Sequence, residues 1–133
     1  MIILDTDVCI HILRGNSTVI EQRQQYSGQV AVSFMTVAEL FYGAEKSANP
    51  LKNRTLVDQF LLTIPTVDSD RKIMRRFGSL KANLEGKGLP LADADLFIAA
   101  TALEASDLLV TGNTKHFSRI AGLSLANWIS KKD

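Results

Sequence analysis

The chain has a single cysteine, Cys9, in 133 residues, so no intrachain disulfide is available. No Cys/His grouping has the spacing of a zinc site. No apolar run is long enough to span a bilayer, and the N-terminus carries Asp5 and Asp7 where a secretion signal would carry basic residues. The cytoplasm is therefore the expected compartment, with no membrane association. Charge of one sign is also lacking: 15 Lys and Arg against 14 Asp and Glu leave a net charge of +1. The large positive excess that announces most nucleic-acid binders is absent, although an acidic centre with a basic rim gives the same neutral total. Internal repeats, linkers and low-complexity tracts are missing too. With 46% hydrophobic and 22% charged residues, the composition excludes disorder. One domain over residues 1–133 is expected, large enough to bury a core without a disulfide or a structural metal.

What is present is an alternation of short apolar runs and helical stretches. Residues 1–4 form an apolar run that stops at Asp5-Thr6-Asp7, the pattern of a fully buried strand ending at polar groups. Val8, Ile12 and Leu13 share a helical face, and Gly15-Asn16 closes that helix. A second helix is predicted over 17–26 and a strand over 29–34 (QVAVSF). Thr36-Val37-Ala38-Glu39 has the form of a capping box opening the next helix. Pro50 begins another, which stops before Pro65, and Val67 is a trace of a strand. Ser69 or Asp70 caps a long helix to about Glu85, broken by Gly86 and Gly88. Asp93 is expected to cap an apolar helix through Phe97, Ile98, Ala99 and Ala102. A strand over 108–111, a helical turn over 117–120 and a short strand over 123–125 complete the chain. Without tight hairpin signals, this alternation predicts an α/β fold with a mainly parallel sheet and helices on both faces.

In such sheets ligands bind beyond the carboxyl ends of the strands. Oxygen-bearing side chains fall at those places: Asp5 after the first strand, Glu39 on the helix after the second, Asp95 in the first turn of the apolar helix, and Asn113 after the 108–111 strand. Two carboxylates about 5 Å apart repel by roughly 3 kcal/mol at an effective dielectric of about 20. A cluster of them therefore calls for a cation, and hard oxygen ligands suit Mg2+ or Mn2+ better than zinc. Such an ion polarises phosphodiesters and activates water. No Ser/His/Asp order and no Gly-rich phosphate loop competes, and neither His11 nor His116 is given a catalytic role. Each acid also has a local explanation: Asp5 and Asp7 as strand end and helix cap, Glu39 as the partner of Thr36 in the capping box, Asp93 as an N-cap, and Asp95 as a complement to the helix dipole.

Four segments, MIILDTDVCI, VSFMTVAELFYG, LPLADADLFIAATAL and LLVTGNTKHFSRIAGL, together resemble a PIN domain, specifically its VapC branch. They occur in family order, and the helices between Ala44 and Glu85 are generic. The resemblance implies a three-layer α/β/α sandwich and an endoribonuclease toxin of a toxin–antitoxin pair. It implies that Asp5, Glu39 and Asp95 form the catalytic acidic triad, with Asp5 and Asp95 on the metal and Thr6 and Thr36 orienting the acids. Many relatives carry a fourth acid where this chain has Asn113, which becomes a neutral ligand or an orienter of Asp5 and leaves the number of metal ions open. Asp7 stands where many relatives have Asn. The family implies a structured RNA substrate, a tRNA or ribosomal RNA, and a homodimer or larger assembly. A VapB-type antitoxin would block the site and would itself carry any DNA binding.

Arg14, Lys46, Lys87 and Lys115 are candidate RNA contacts around the acids. Arg119 and the Arg71, Lys72, Arg75, Arg76 group on the long helix are further basic candidates. Two rival readings remain at this level. One is a phosphatase of the haloacid dehalogenase type, with Asp5 as nucleophile and Asp7 as acid/base. The other is a PIN-like module that binds without catalysis.

Overall fold

The computed structural model describes residues 1–129. Its centre is a sheet of five parallel strands, β1 (Ile2–Leu4), β2 (Val30–Ser33), β3 (Thr66–Val67), β4 (Leu108–Val110) and β5 (Leu125–Ala126), in the order β3-β2-β1-β4-β5. Every strand is parallel to its neighbours, a stricter result than the mainly parallel sheet the alternation predicts. β1 pairs with β2 through Ile2–Val30 and Ile3–Ala31, and with β4 through Ile2–Leu108, Ile3–Leu109 and Leu4–Val110. Successive strand side chains point to opposite faces, so each strand feeds two cores. Ile2, Leu4, Val32 and Val110 pack on one face with Val8, Val19, Leu40, Val57 and Phe60; Ile3, Ala31 and Leu109 pack on the other with Leu84, Leu96, Ile98, Ala102 and Phe117.

The helices divide accordingly. α1 (Thr6–Leu13), α2 (Ser17–Gln25), α3 (Phe34–Glu45) and α4 (Pro50–Leu61) supply the first core. α5 (Arg71–Gly86), α6 (Asp93–Ala105) and α7 (Thr114–Phe117) supply the second. The result is the expected three-layer sandwich. Local chemistry sets the ends. Asp5 caps α1 through Thr6 N–H, Asn16 caps α2 through Val19 N–H, and Asp70 caps α5 through Ile73 N–H. Gly15, at φ 78°, takes the left-handed conformation that lets α1 stop and the chain turn directly into α2.

Several local expectations fail. Thr36 does not open α3: the cap is Ser33, the last residue of β2, whose hydroxyl accepts from Thr36 N–H at 3.1 Å, so strand and helix follow one another without a loop. Glu39 consequently lies too far into the helix to close a capping box. Asp93 does not cap α6 either; Ala92 holds that position without a side-chain bond, and Asp93 bridges to Lys81 on α5 at 2.9 Å. The final elements are displaced from the sequence reading, to Thr114–Phe117 and Leu125–Ala126.

From β1 the chain moves outward through β2 to β3, then returns over the sheet to place β4 on the other side of β1. The crevice between β1 and β4 is thus the point where the winding reverses, the favoured ligand position in open parallel sheets. Among the described residues no helix is long and apolar enough to cross a membrane.

Candidate active site

Asp5 emerges at the end of β1, in that crevice. It is only 6% exposed, and both carboxylate oxygens accept hydrogen bonds: Oδ1 from Thr6 N–H at 2.8 Å and Oδ2 from the Thr111 hydroxyl at 2.7 Å. Thr111 follows β4 and is fully buried; its oxygen also accepts from Asn113 N–H at 2.9 Å. The parallel register of β1 with β4 sets these two residues side by side, because the terminal residues Leu4 and Val110 pair and Asp5 and Thr111 directly follow them.

Burial pushes the Asp5 carboxyl up from 3.8 to about 7, and the charge of Asp7 pushes the same way. The bonds from Thr111 and Thr6 oppose this, and Asp95 adds a further rise. Asp7, in the first turn of α1, is also raised by burial, against the opposing bond from Gly112 N–H at 2.9 Å to its Oδ2. Its other oxygen, Oδ1, is buried without a hydrogen-bond partner. Asp95, half-buried in the first turn of α6, is raised by burial and then by the charge of Glu39, with His116 pulling it down and Asp7 adding a smaller rise. The mutual effects of Asp5, Asp7, Asp95 and Glu39 make them one electrostatic neighbourhood drawn from α1, α3, α6 and the end of β1.

Glu39 is fixed by a chain of hydroxyls. Thr6 Oγ1 donates to Glu39 Oε1 at 2.6 Å and lies 2.9 Å from Thr36 Oγ1, which in turn lies 3.5 Å from Ser33 Oγ. A hydroxyl carries one proton, and that of Thr6 is given to the carboxylate, so Thr36 donates to Thr6 and Ser33 to Thr36. Thr6 thereby serves two acids, Asp5 through its N–H and Glu39 through its hydroxyl.

The family model for the PIN domain matches residues 2–123. The chain belongs to the PIN-domain family. Among relatives of known name, the chain is 36% identical over 127 residues to "Ribonuclease VapC2" of Haemophilus influenzae, covering 95% of this chain and 96% of that protein. It is 32% identical over 126 residues to "tRNA(fMet)-specific endonuclease VapC" of Shigella flexneri, covering 94% and 96%. Among solved structures, a chain of VapBC2 from Rickettsia felis, a complex solved with a DNA fragment from their promoter, superposes with a TM-score of 0.89 at 34% identity over 96% of this chain and 99% of that one. These likenesses assign the PIN domain to the VapC branch.

Within this PIN domain, Thr6 bonds to both Asp5 and Glu39, whereas Thr36 touches neither acid and reaches Glu39 only through the Thr6 hydroxyl. Asn113 differs. Its side-chain oxygen is held by His116 Nδ1 at 2.7 Å, and it reaches Asp5 only through its backbone N–H and Thr111. The residue that orients Asp5 is Thr111, which the sequence reading passed over as the end of a strand. His116, given no role from sequence, lies close enough to Asp95 to lower its pKa. Only the β1–β4 register and the Asn113–His116 spacing of three could have flagged these two. The basic candidates scatter. Arg14 shares a groove with Glu39, and Lys115 is next to His116 on α7. Lys87 caps the C-terminal end of α5. Lys46 lies at the far end of α3 from Ser33, with its ammonium 4.9 Å from the Tyr42 ring centroid.

The phosphatase reading loses its footing. The family match over residues 2–123 and the ribonuclease names of the relatives place the chain outside the phosphatase group.

Proposed function

We propose that this protein is a metal-dependent endoribonuclease toxin that cleaves structured RNA, with tRNA the first candidate, and is held in check by a VapB-type antitoxin. The observation that carries the metal requirement is the buried, unpartnered Oδ1 of Asp7 beside a carboxyl already pushed to about 7. Such a group of acids is costly to ionise without a cation. Among the described residues no three His, Cys, Asp or Glu side chains are close enough to enclose an ion by themselves. The choice of Mg2+ or Mn2+ rests on the hard oxygen chemistry of carboxylates, one or two of which hold such ions while water and substrate phosphate complete the shell. Asp5 and Asp95 would hold the ion, with Asp7 beside them. When bound, it would polarise the scissile phosphodiester and stabilise the departing oxygen.

The chain's own residues supply the rest. Thr111 and Thr6 hold Asp5 in one orientation. Thr6 also occupies Oε1 of Glu39, so that Oε2 is the oxygen left to take a proton from an attacking water. Arg14 and Lys115 offset the repulsion between acids and RNA phosphates. The RNA target follows the Shigella relative, whose name specifies tRNA(fMet). The antitoxin follows the Rickettsia felis structure, a VapBC complex. An apolar groove of about 250 Å3, lined by Ile10, Leu13, Leu40, Leu56 and Val57 and reaching Glu39, offers a partner segment a place beside the acids. A homodimer in the cytoplasm is the expected state.

Purified protein freed of antitoxin should cut a tRNA transcript with Mg2+ or Mn2+ and stop in EDTA. Asp95→Asn should lose at least about 100-fold in rate while keeping its circular dichroism spectrum, and should relieve growth arrest on expression. Cleavage that survives EDTA or Asp95→Asn would sink the reading. Inertness toward RNA under all conditions would favour the non-catalytic binding module.

A further inference from the structure

α5 carries five of the chain's 15 basic residues, Arg71, Lys72, Arg75, Arg76 and Lys81, against a single acid, Glu85. Phe77, Leu80 and Leu84 turn one face of the helix toward the second core, and Ile73 is buried as well. Lys72, Arg75, Arg76 and Ser79, at spacings of three, four and seven, form the neighbouring stripe. This stripe and Glu104 of α6 line an open groove of about 500 Å3. Two of the five cations are already committed. Arg76 clasps Glu104 through Nε at 2.7 Å and Nη2 at 2.6 Å, and Lys81 bridges to Asp93. The acid at the head of the helix, Asp70, spends its carboxylate on capping Ile73 N–H. Among the described residues Lys72 and Arg75 have no acidic partner within ion-pair distance, and both are exposed.

The groove is not part of the acid cluster. Arg76 meets Glu104, Phe77 stacks on Phe97 and Lys81 meets Asp93, so α5 and α6 run antiparallel. The groove therefore lies at the end of α6 remote from Asp95, nine residues or about 14 Å along the helix axis. A single phosphodiester in the crevice cannot touch both places. A folded RNA can.

We infer that the α5 groove is a second RNA-backbone site, in which Lys72 and Arg75 bind phosphates of the substrate at a distance from the bond that is cut. Arg76 is a positioning residue there: Glu104 takes Nε and Nη2 and leaves Nη1 to point a donor at a phosphate oxygen. The Ser79 hydroxyl adds a neutral donor. The site is fitted to sequence-independent contact and gives preference for long or folded RNA over short pieces. This inference rests on the ribonuclease reading above.

The test pairs Lys72→Gln/Arg75→Gln with two probes, a tRNA(fMet) transcript and short single-stranded oligoribonucleotides, and measures kcat and KM for cleavage together with filter binding on an Asp95→Asn background. Both residues are exposed, so the fold should be unaffected, and Lys72→Arg/Arg75→Lys should restore wild-type behaviour. Loss of two phosphate contacts should lower the slope of log affinity against log salt by about 1.4–1.8, which is roughly 25- to 60-fold in tRNA affinity at 0.1 M salt. KM for tRNA should rise with kcat unchanged, and cleavage of short oligonucleotides should stay as it was. Equal losses on both probes, or an unchanged salt slope, would overturn the second site while leaving the ribonuclease intact. Intact tRNA binding with lost antitoxin binding would overturn it in favour of a protein-docking groove. Failure of the wild-type protein to bind or cut any RNA would instead overturn the parent reading.

Discussion

Replacing Asp5 with asparagine should make the metal-free protein more stable while destroying its activity. The folded chain holds a proton on Asp5 up to about pH 7, whereas the unfolded chain loses it near 3.8. A folded-state pKa above the unfolded value means that the native state binds more protons between these pH values. Stability is therefore unaffected by Asp5 below about pH 4, falls as pH rises from there to about 7, and is flat above that. The full displacement corresponds to about 4 kcal/mol, an upper figure because the neighbouring Asp7 shares in it. Asparagine removes the ionisation. Its side-chain oxygen can keep the bond from Thr6 N–H, and the Thr111 hydroxyl can accept from the new amide, so the offsetting loss is about 1 kcal/mol. Urea unfolding followed by far-ultraviolet circular dichroism in EDTA should find Asp5→Asn more stable than wild type by about 2–3 kcal/mol at pH 8, with the gain shrinking to near zero at pH 5. Added Mg2+ should stabilise wild type at pH 8 and leave the variant unmoved. A variant no more stable than wild type at pH 8, or a gain that grows as pH falls, would refute the reasoning.

Two further changes probe how the acids are held. Thr6→Val removes the hydroxyl that fixes Glu39 while leaving the N–H that fixes Asp5, so cleavage should fall by about 10- to 100-fold with little change in melting temperature; unchanged kinetics would show that the hydroxyl chain is incidental. Gly112→Ala places a Cβ 2.9 Å from Asp7 Oδ2 and 2.8 Å from Ile129 Cδ1. The Ile129 methyl can swing aside, but Asp7 is held at that spot by Gly112 N–H itself, so the variant should need more Mg2+ for half-maximal cleavage. An unaltered metal titration would show that Asp7 does not bear on the ion.

The outline of this fold was legible in one dimension because strand and helix periods differ. A doubly buried parallel strand such as Ile2–Leu4 is a continuous apolar run, and caps such as Asn16 and Asp70 announce themselves by residue type. Where reading failed, the competing partner was distant. Thr36-Val37-Ala38-Glu39 has the local form of a capping box, yet Thr6, thirty-three residues before Glu39, takes its carboxylate. Asp93 has the right type for a cap but finds Lys81, twelve residues earlier.

The candidate site divides the same way. Residue type and position made Asp5, Glu39 and Asp95 candidates alongside Asp7, Asp93 and Asn113, and the resemblance to the PIN domain picked out the three. Composition and order could not say which neighbours would bind them. That Thr111 orients Asp5, that Gly112 holds Asp7, and that His116 bears on Asp95 are consequences of β4 lying against β1 in one register. The sequence alone determined which groups can carry charge and which segments are apolar enough to be buried. Tertiary structure decided how far those charges stand from one another and from water, and both pKa and reactivity depend on those distances rather than on residue type.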